Sequence, residues 1–340
     1  MAAKKKGAKK SVAKKKKSGF TPASRFLRYQ ITTSGTPNTE TSHYIDIARD
    51  LSMVNRRLYR QGKVYQVANI SITSRNTVDG LVSFSTAPDT WVTRSAWHRG
   101  MELWTQMQKK VLDNSGQAAR KGRYNDFKVF LTDDMRTSTT VNQRPRVKDN
   151  GNNLAAFGDW WYSKFHSPDG ADNASDEYYA HLLGGHAAGG GAPDNYASVG
   201  LIKSYAEARA TVSRTPNFDT DGDDDPLLNL FDDGTQTDEI ADDLAAFGDE
   251  PPYALTDGND NSIGDLYPGS NSNLPKPMVN RLAGIGQQGG TSAPTVMLPG
   301  FTAICGLIEV ELQSAAPDDV IDITIEIAPG SYKGVAGFDI

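Results

Sequence analysis

From Ile321 to Ile327 apolar and polar residues alternate one for one, within the run VIDITIEIA at Val320–Ala328. Successive side chains of a strand point to opposite faces, so this period of two buries one face and wets the other; a helix would scatter the same residues around its circumference. The pattern recurs along Val64–Thr73 (VYQVANISIT) and, after the turn-forming Asp79-Gly80, along Leu81–Thr86 (LVSFST). Arg25–Thr32 (RFLRYQIT), Tyr44–Ala48 (YIDIA), Phe127–Thr132 (FKVFLT), Asp159–Phe165 (DWWYSKF) and Gly300–Leu312 (GFTAICGLIEVEL) add further strand candidates, about eight in all. Alternating strands suit an antiparallel sheet with one face covered, and two facing sheets of four are the economical way to cover both. The expected fold class is therefore all-β: an eight-stranded antiparallel jelly-roll sandwich with long loop insertions, a few helices and a disordered basic N-terminal arm.

Helical periodicity interrupts the strands in two kinds of place. Across Trp91–Leu112, residues Trp97, Met101, Trp104 and Val111 recur at three- and four-residue steps, an amphipathic helix that Asp89 or Thr90 can cap and that Gly100 weakens. A shorter helix is expected from Ser52 as cap to Gln61, with Gly62 as a left-handed stop. Between about residues 166 and 280 the pattern loosens into Gly-rich stretches, with helices expected near Ser198–Val212 and Thr237–Phe247. This reads as a loop-rich, partly acidic insertion into a shell domain spanning 23–340, preceded by an arm over 1–22.

Charge is segregated along the chain. Met1–Thr39 holds nine Lys, two Arg and no acid, whereas Pro216–Asp265 holds sixteen acids and no base, although the net charge of the whole is only −5. The arm lysines, Lys4, Lys5, Lys6, Lys9, Lys10, Lys14, Lys15, Lys16 and Lys17, are separated by small residues with almost nothing to bury. Such a segment cannot offset its ordering entropy by burial and is expected to be disordered when free. Like-charged tails bind polyanions by releasing counterions, without sequence preference and with strong salt dependence. About 20 extended residues reach roughly 70 Å. Nuclear import is a compatible second role for such a tail.

A similarity to one family rests on several segments in order. These are the Lys arm, Asn55–Tyr65 (NRRLYRQGKVY), Asp89–Thr93 (DTWVT), Asp159–Ser163 (DWWYS) and Pro329–Val335 (PGSYKGV). In this combination the chain resembles coat proteins of eukaryotic circular Rep-encoding single-stranded DNA viruses. The resemblance implies a single jelly roll assembling into an icosahedral shell, about sixty copies in the simplest case, with the arm turned inward onto a single-stranded DNA genome. It also implies a virion protein that passes through the host nucleus or cytoplasm during assembly, with the import machinery and a cell-surface receptor as further partners. The acidic stretch at 216–265 departs from the strongly basic coats of typical circoviruses and is expected to face away from the genome.

The candidate nucleic-acid-binding residues are thus the nine arm lysines, Arg25 and Arg28, and the cluster Arg56, Arg57, Arg60 and Lys63, the best folded candidate for a phosphate-contacting surface. The five tryptophans, Trp91, Trp97, Trp104, Trp160 and Trp161, could stack on bases, but Trp97 and Trp104 share a helix face that core burial explains better. Asp219, Asp221 and Asp223 in FDTDGDDDP start like a calcium loop, yet Asp224 stands where the turn needs Gly and Leu230 where it needs Glu. What stays open is a looser Ca²⁺ site at a subunit contact; no other cofactor is expected. Glu177, His181 and His186 lack the spacing of a helical metal site, and Gly184-Gly185 interrupts them. There is no GxxxxGK(S/T) phosphate loop, no His-x-His pair and no G-x-S-x-G elbow, and the single cysteine, Cys305, sits in an apolar strand pattern. An enzyme is therefore not expected, nor a membrane span, since no apolar run approaches 18 residues. An RNA-virus coat and a cellular nucleic-acid-binding β-sandwich are the alternatives.

Overall fold

A computed structural model describes residues 22–74, 79–114, 125–138, 142–146, 160–168, 175–189, 196–209, 278–285 and 295–340. In chain order the elements are β1 (Phe26–Thr32), β2 (Thr41–Asp46), α1 (Ile47–Asn55), β3 (Lys63–Ser74), β4 (Gly80–Thr86), α2 (Trp91–Asn114) and α3 (Asp133–Thr137). They continue with β5 (Lys164–Pro168), β6 (Ser175–His181), β7 (Ala187–Ala188), β8 (Tyr196–Gly200), α4 (Leu201–Arg209), β9 (Met278–Ile285), β10 (Thr295–Pro299), β11 (Thr302–Ile304), β12 (Leu307–Ser314), β13 (Val320–Ile327) and β14 (Gly337–Asp339).

The described chain is mostly β-sheet. One sheet runs β1-β13-β3-β10, with β11 and β14 also on β3; a second runs β2-β12-β4-β9. All pairings within these two sheets are antiparallel. Their inward residues meet in one core: Leu27, Tyr29 and Ile31 of β1, Ile70 and Ile72 of β3, and Ile321, Ile323 and Ile325 of β13 face Ile45, Val82, Phe84, Val310 and Leu312. In β13 every second residue is buried, as its alternation requires. A third sheet, β5-β6-β8-β7, contains one parallel pair, β6 with β8. Its first strand overlaps the strand expected at Asp159–Phe165, while β6, β7 and β8 lie in the insertion, where only loops and helices were expected.

Antiparallel pairing gathers distant parts of the chain at one end of the sandwich. There Phe26 opposes Glu326, Ile327 opposes Val67, Leu307 opposes Asp46 and Thr86 opposes Met278. The root of the arm, α1, the insertion that leaves β4 and re-enters at β9, and the C-terminal segment all start or finish at that end. A second core forms on the outside of the sandwich, where Trp97 and Trp104 of α2, Phe127, Leu131, Leu182 and Ile202 pack against Tyr44, Val64, Ile304 and Leu307.

Several local expectations are corrected. The helix after β2 is capped six residues before Ser52, because the Asp46 carboxylate accepts the Arg49 N–H at 3.0 Å. Ser52 lies inside α1, its hydroxyl donating to the Ala48 carbonyl at 2.7 Å. The left-handed residue that ends α1 is Arg56, at φ 52°, not Gly62. Gly62 is required for a different reason: a Cβ there would lie 2.6 Å from the Trp97 ring. The run Gly300–Leu312 is two strands, broken by a turn at Cys305 (φ 56°) and Gly306 (φ 70°). Phe127–Thr132 is extended but does not form a strand of a sheet. Phe130 makes a single parallel bridge to His181 of β6, and at Val129 the Gln61 amide takes the place of a neighbouring strand, accepting the Val129 N–H at 2.6 Å and donating to its carbonyl at 2.9 Å. In Asp159–Phe165, β5 begins only at Lys164, and the tryptophans precede it. The helix expected from Ser198 begins at Leu201, after β8; the helix expected at Thr237–Phe247 lies outside the described residues.

Candidate nucleic-acid interface

The turn after α1 builds the folded basic cluster. Once Arg56 adopts its left-handed conformation the chain reverses, and Arg56, Arg57 and Arg60 emerge exposed within five residues. The arm's root is pinned to this turn. Asn55 donates from Nδ2 to the Ser24 carbonyl at 2.9 Å and accepts the Ser24 N–H at 2.7 Å, and Arg57 donates to the Pro22 carbonyl at 3.1 Å. Residues 22–25 therefore leave the sandwich alongside the arginines.

The cluster is completed by a side chain from the other terminus. Lys333, in a tight turn at φ 53° closed by reciprocal Tyr332–Val335 hydrogen bonds, donates to the Leu58 carbonyl and lies 5.4 Å over the Tyr332 ring. Lys63 stacks on the same ring at 4.9 Å and pairs with Asp339. Tyr332 also accepts the Arg60 backbone N–H at 2.9 Å, so one side chain holds two ammonium groups over its ring and fixes the backbone of Arg60. Burial, and then the charge of Arg60, pushes the Lys333 ammonium below its ordinary value. Arg60 reaches the Asp126 carboxylate at 2.9 Å. Lys333 joins this basic cluster without a signal in the sequence beyond the Pro-Gly-Ser-Tyr-Lys-Gly run, which carries no charge block.

The other candidates fall elsewhere. Arg25 pairs with Glu326 at 3.3 Å and donates to the Ile327 carbonyl, while Arg28 is exposed two residues along β1, so both border the first sheet's outer face. The arm lysines Lys4 to Lys17 and the carboxylates Asp219, Asp221 and Asp223 lie outside the described residues. Trp97 and Trp104 are buried in the second core; Trp160 is half-buried and Trp161 exposed.

Beneath the cluster, a buried polar network fixes the junction of β2 and α1. Arg49 is buried and donates to Asp50 at 2.8 Å, whose other oxygen accepts the Tyr29 hydroxyl at 2.6 Å. Asp46 accepts from Gln61 and from Tyr162, each at 3.2 Å. Burial raises the Asp50 carboxyl to about 6 in spite of Arg49, which alone would lower it. Arg49 is itself held charged: burial would lower it, but the Asp50 carboxylate more than reverses that.

The opposite charge collects on the outward face of the second sheet. Glu309 and Glu311 of β12, with Glu40, Asp133 and Asp134, line a cleft of about 530 Å³ floored by Tyr44 and Ser85. Glu309 is buried, accepts the Tyr44 hydroxyl at 3.0 Å, and is raised by that burial and by neighbouring Glu311. The Glu177–His181–His186 set does not assemble: Glu177 pairs with Lys164 at 2.5 Å, and His181 is buried between Ser198 Oγ and the Gly185 carbonyl. Among the described residues no group of three His, Cys, Asp or Glu is arranged to hold a metal ion, and no helix is long and apolar enough to cross a membrane. Cys305 is buried and its thiol pushed well up by that burial, which leaves it unreactive.

Compared with protein-family models, curated proteins and solved structures, the chain matches none.

Proposed function

We propose that this chain is a viral coat protein that assembles into a closed icosahedral shell and packages single-stranded DNA through its basic arm, without enzymatic activity. The observation that carries the reading is the root of the arm: Pro22 and Ser24 are hydrogen-bonded to Arg57 and Asn55, so the first described residues after the lysine block lie beside the turn bearing Arg56, Arg57 and Arg60. An arm that starts on a basic surface can neutralise a polyanion in continuity with the shell.

The order of the strands supports the jelly-roll reading. Taking β1, β2, β3, β4, β9, β10, β12 and β13 as strands one to eight, the sheets run one-eight-three-six and two-seven-four-five. That is the pairing of two interlocked Greek keys, with the remaining short strands as elaborations of its loops. In this reading the arm-bearing end faces the packaged strand, and the virion forms in the host nucleus or cytoplasm.

The test is electron microscopy of the purified recombinant chain, with its 260/280 nm absorbance ratio before and after nuclease treatment. Uniform closed particles holding protected, DNase-sensitive nucleic acid are expected. Protected material sensitive only to RNase would make it an RNA coat. Monomers or dimers across pH, salt and added single-stranded DNA would overturn the packaging reading in favour of a cellular binding protein.

A further inference from the structure

Beside the basic turn lies a groove of about 630 Å³ whose walls are aromatic and whose cations lie on ring faces. Lys128 sits 4.9 Å over the Trp160 ring and Lys164 sits 5.3 Å over the Tyr179 ring. Phe130 and Tyr162 stack at 3.9 Å between centroids and make the floor rigid. At the mouth stands Trp161, 79% exposed, the most exposed large apolar side chain among the described residues. An indole left in water beside ordered rings and ammonium groups forgoes the burial that would stabilise it, which points to an absent partner.

The groove is continuous with the basic turn, because Asp126 lines it and pairs with Arg60 at 2.9 Å. Acids are present too: Asp126 holds Arg60, and Glu177 holds Lys164 at 2.5 Å. The Lys164–Glu177 pair is exposed, contributes little and exchanges readily for a phosphate, whereas the Asp126 carboxylate is nearly buried. Flat π faces with cations at their margins suit one ligand chemistry, a planar base on a phosphate backbone; each base has a π face, so no sequence preference is needed.

We propose that this groove binds one or two nucleotides of single-stranded nucleic acid, stacking a base on Trp161 while Lys164 meets a flanking phosphate. The proposal rests on the nucleic-acid reading above and adds to it a folded site outside the arm.

The experiment uses the full chain and a labelled fifteen-residue oligothymidylate, with fluorescence anisotropy over a range of NaCl concentrations. An abasic oligonucleotide of the same length serves as the phosphate-only probe. Trp161→Ala is expected to weaken oligothymidylate binding about 5- to 100-fold, the range of one lost base–aromatic stack, with the salt slope unchanged. Abasic binding should be unaffected, and Trp161→Phe should retain most of the affinity. Lys164→Ala should instead flatten the salt slope by about 0.7. Equal loss for both probes, or no loss with Trp161→Ala, would overturn the groove while leaving the arm's role intact. Unchanged oligonucleotide binding with weakened self-association would make Trp161 a contact between copies, which also overturns it. If the unaltered chain binds neither probe, the function proposed above fails instead.

Discussion

The arm-bearing end of the sandwich and the outward face of its second sheet carry opposite charge on neighbouring parts of one scaffold. At the end, Arg56, Arg57, Arg60, Lys63 and Lys333 surround Tyr332 and the root of the arm. On the face, five carboxylates line a cleft with Glu309 buried at its floor. The two are joined by β2, whose Tyr44 faces the acidic cleft and whose last residue, Asp46, caps the helix that presents the cations. Under the proposed function, this separation would draw a polyanion to one side of the fold and repel it from the other, orienting the subunit on the strand. The same segregation runs along the sequence, from the lysine arm to the acidic stretch 216–265.

The largest expected change comes from deleting residues 2–18. With nine lysines gone, the logarithmic salt dependence of single-strand binding should shrink by up to about 6. At physiological salt the remaining affinity should fall by more than about tenfold, as read by anisotropy titration. An unchanged slope would mean that the folded cations alone carry the contact.

Next in size is the joint between the two regions. Arg49→Leu leaves Asp50 buried without its cation, and urea unfolding should show a loss of about 3–5 kcal/mol. A loss below about 1 kcal/mol would mean that the network is not what fixes α1.

Removing Arg60 and Lys333 together tests the folded cluster with the arm intact. The double alanine variant should lower the salt slope by about 1.4, two phosphate contacts of roughly 0.7 each, with little change in stability. If the slope is unchanged, the cluster serves only to hold Tyr332.

The smallest effect is on pH dependence, and it reads the acidic side. Asp50 and Glu309 have carboxyls raised by burial, so the native state binds their protons more readily than the unfolded chain. Their contribution to stability is therefore greatest at low pH and lost as pH rises, for Asp50 from its unfolded value of about 4 up to about 6. Glu309→Gln removes its share, and the stability difference between the variant and the unaltered chain should grow from pH 4 to pH 7. A difference independent of pH would show that Glu309 is charged equally easily in both states.

The strands that sequence reading located are those with one face fully buried. β3, β4 and β13 announce themselves because their inward residues meet the main core at alternate positions. β9 and β10 were missed. They lie at sheet margins, where apolar Val279, Leu282 and Met297 are exposed, so apolar residues on both faces hide the alternation from the sequence. Helix α2 was legible because its tryptophans repeat at the helical period, whereas α1 was misplaced because Ser52 and Asp46 are both good caps and only the native contacts of Asp46 choose between them. Of the basic cluster, Arg56, Arg57, Arg60 and Lys63 lie together in the chain and could be read there. Lys333 could not, because its neighbours Leu58 and Tyr59 are some 275 residues away.

Periodicity and charge are local properties, so the amino-acid order alone determined where half-buried strands run and where positive and negative charge are concentrated. Which strands pair, and at which end their connections meet, is a matter of contacts between residues far apart. Phe26 opposes Glu326, and Leu307 opposes Asp46. Closing such loops costs entropy that only the assembled core offsets. The tertiary structure therefore decided that the arm's root at Pro22–Ser24, the arginine turn, Lys333 and the aromatic groove share one end of the sandwich.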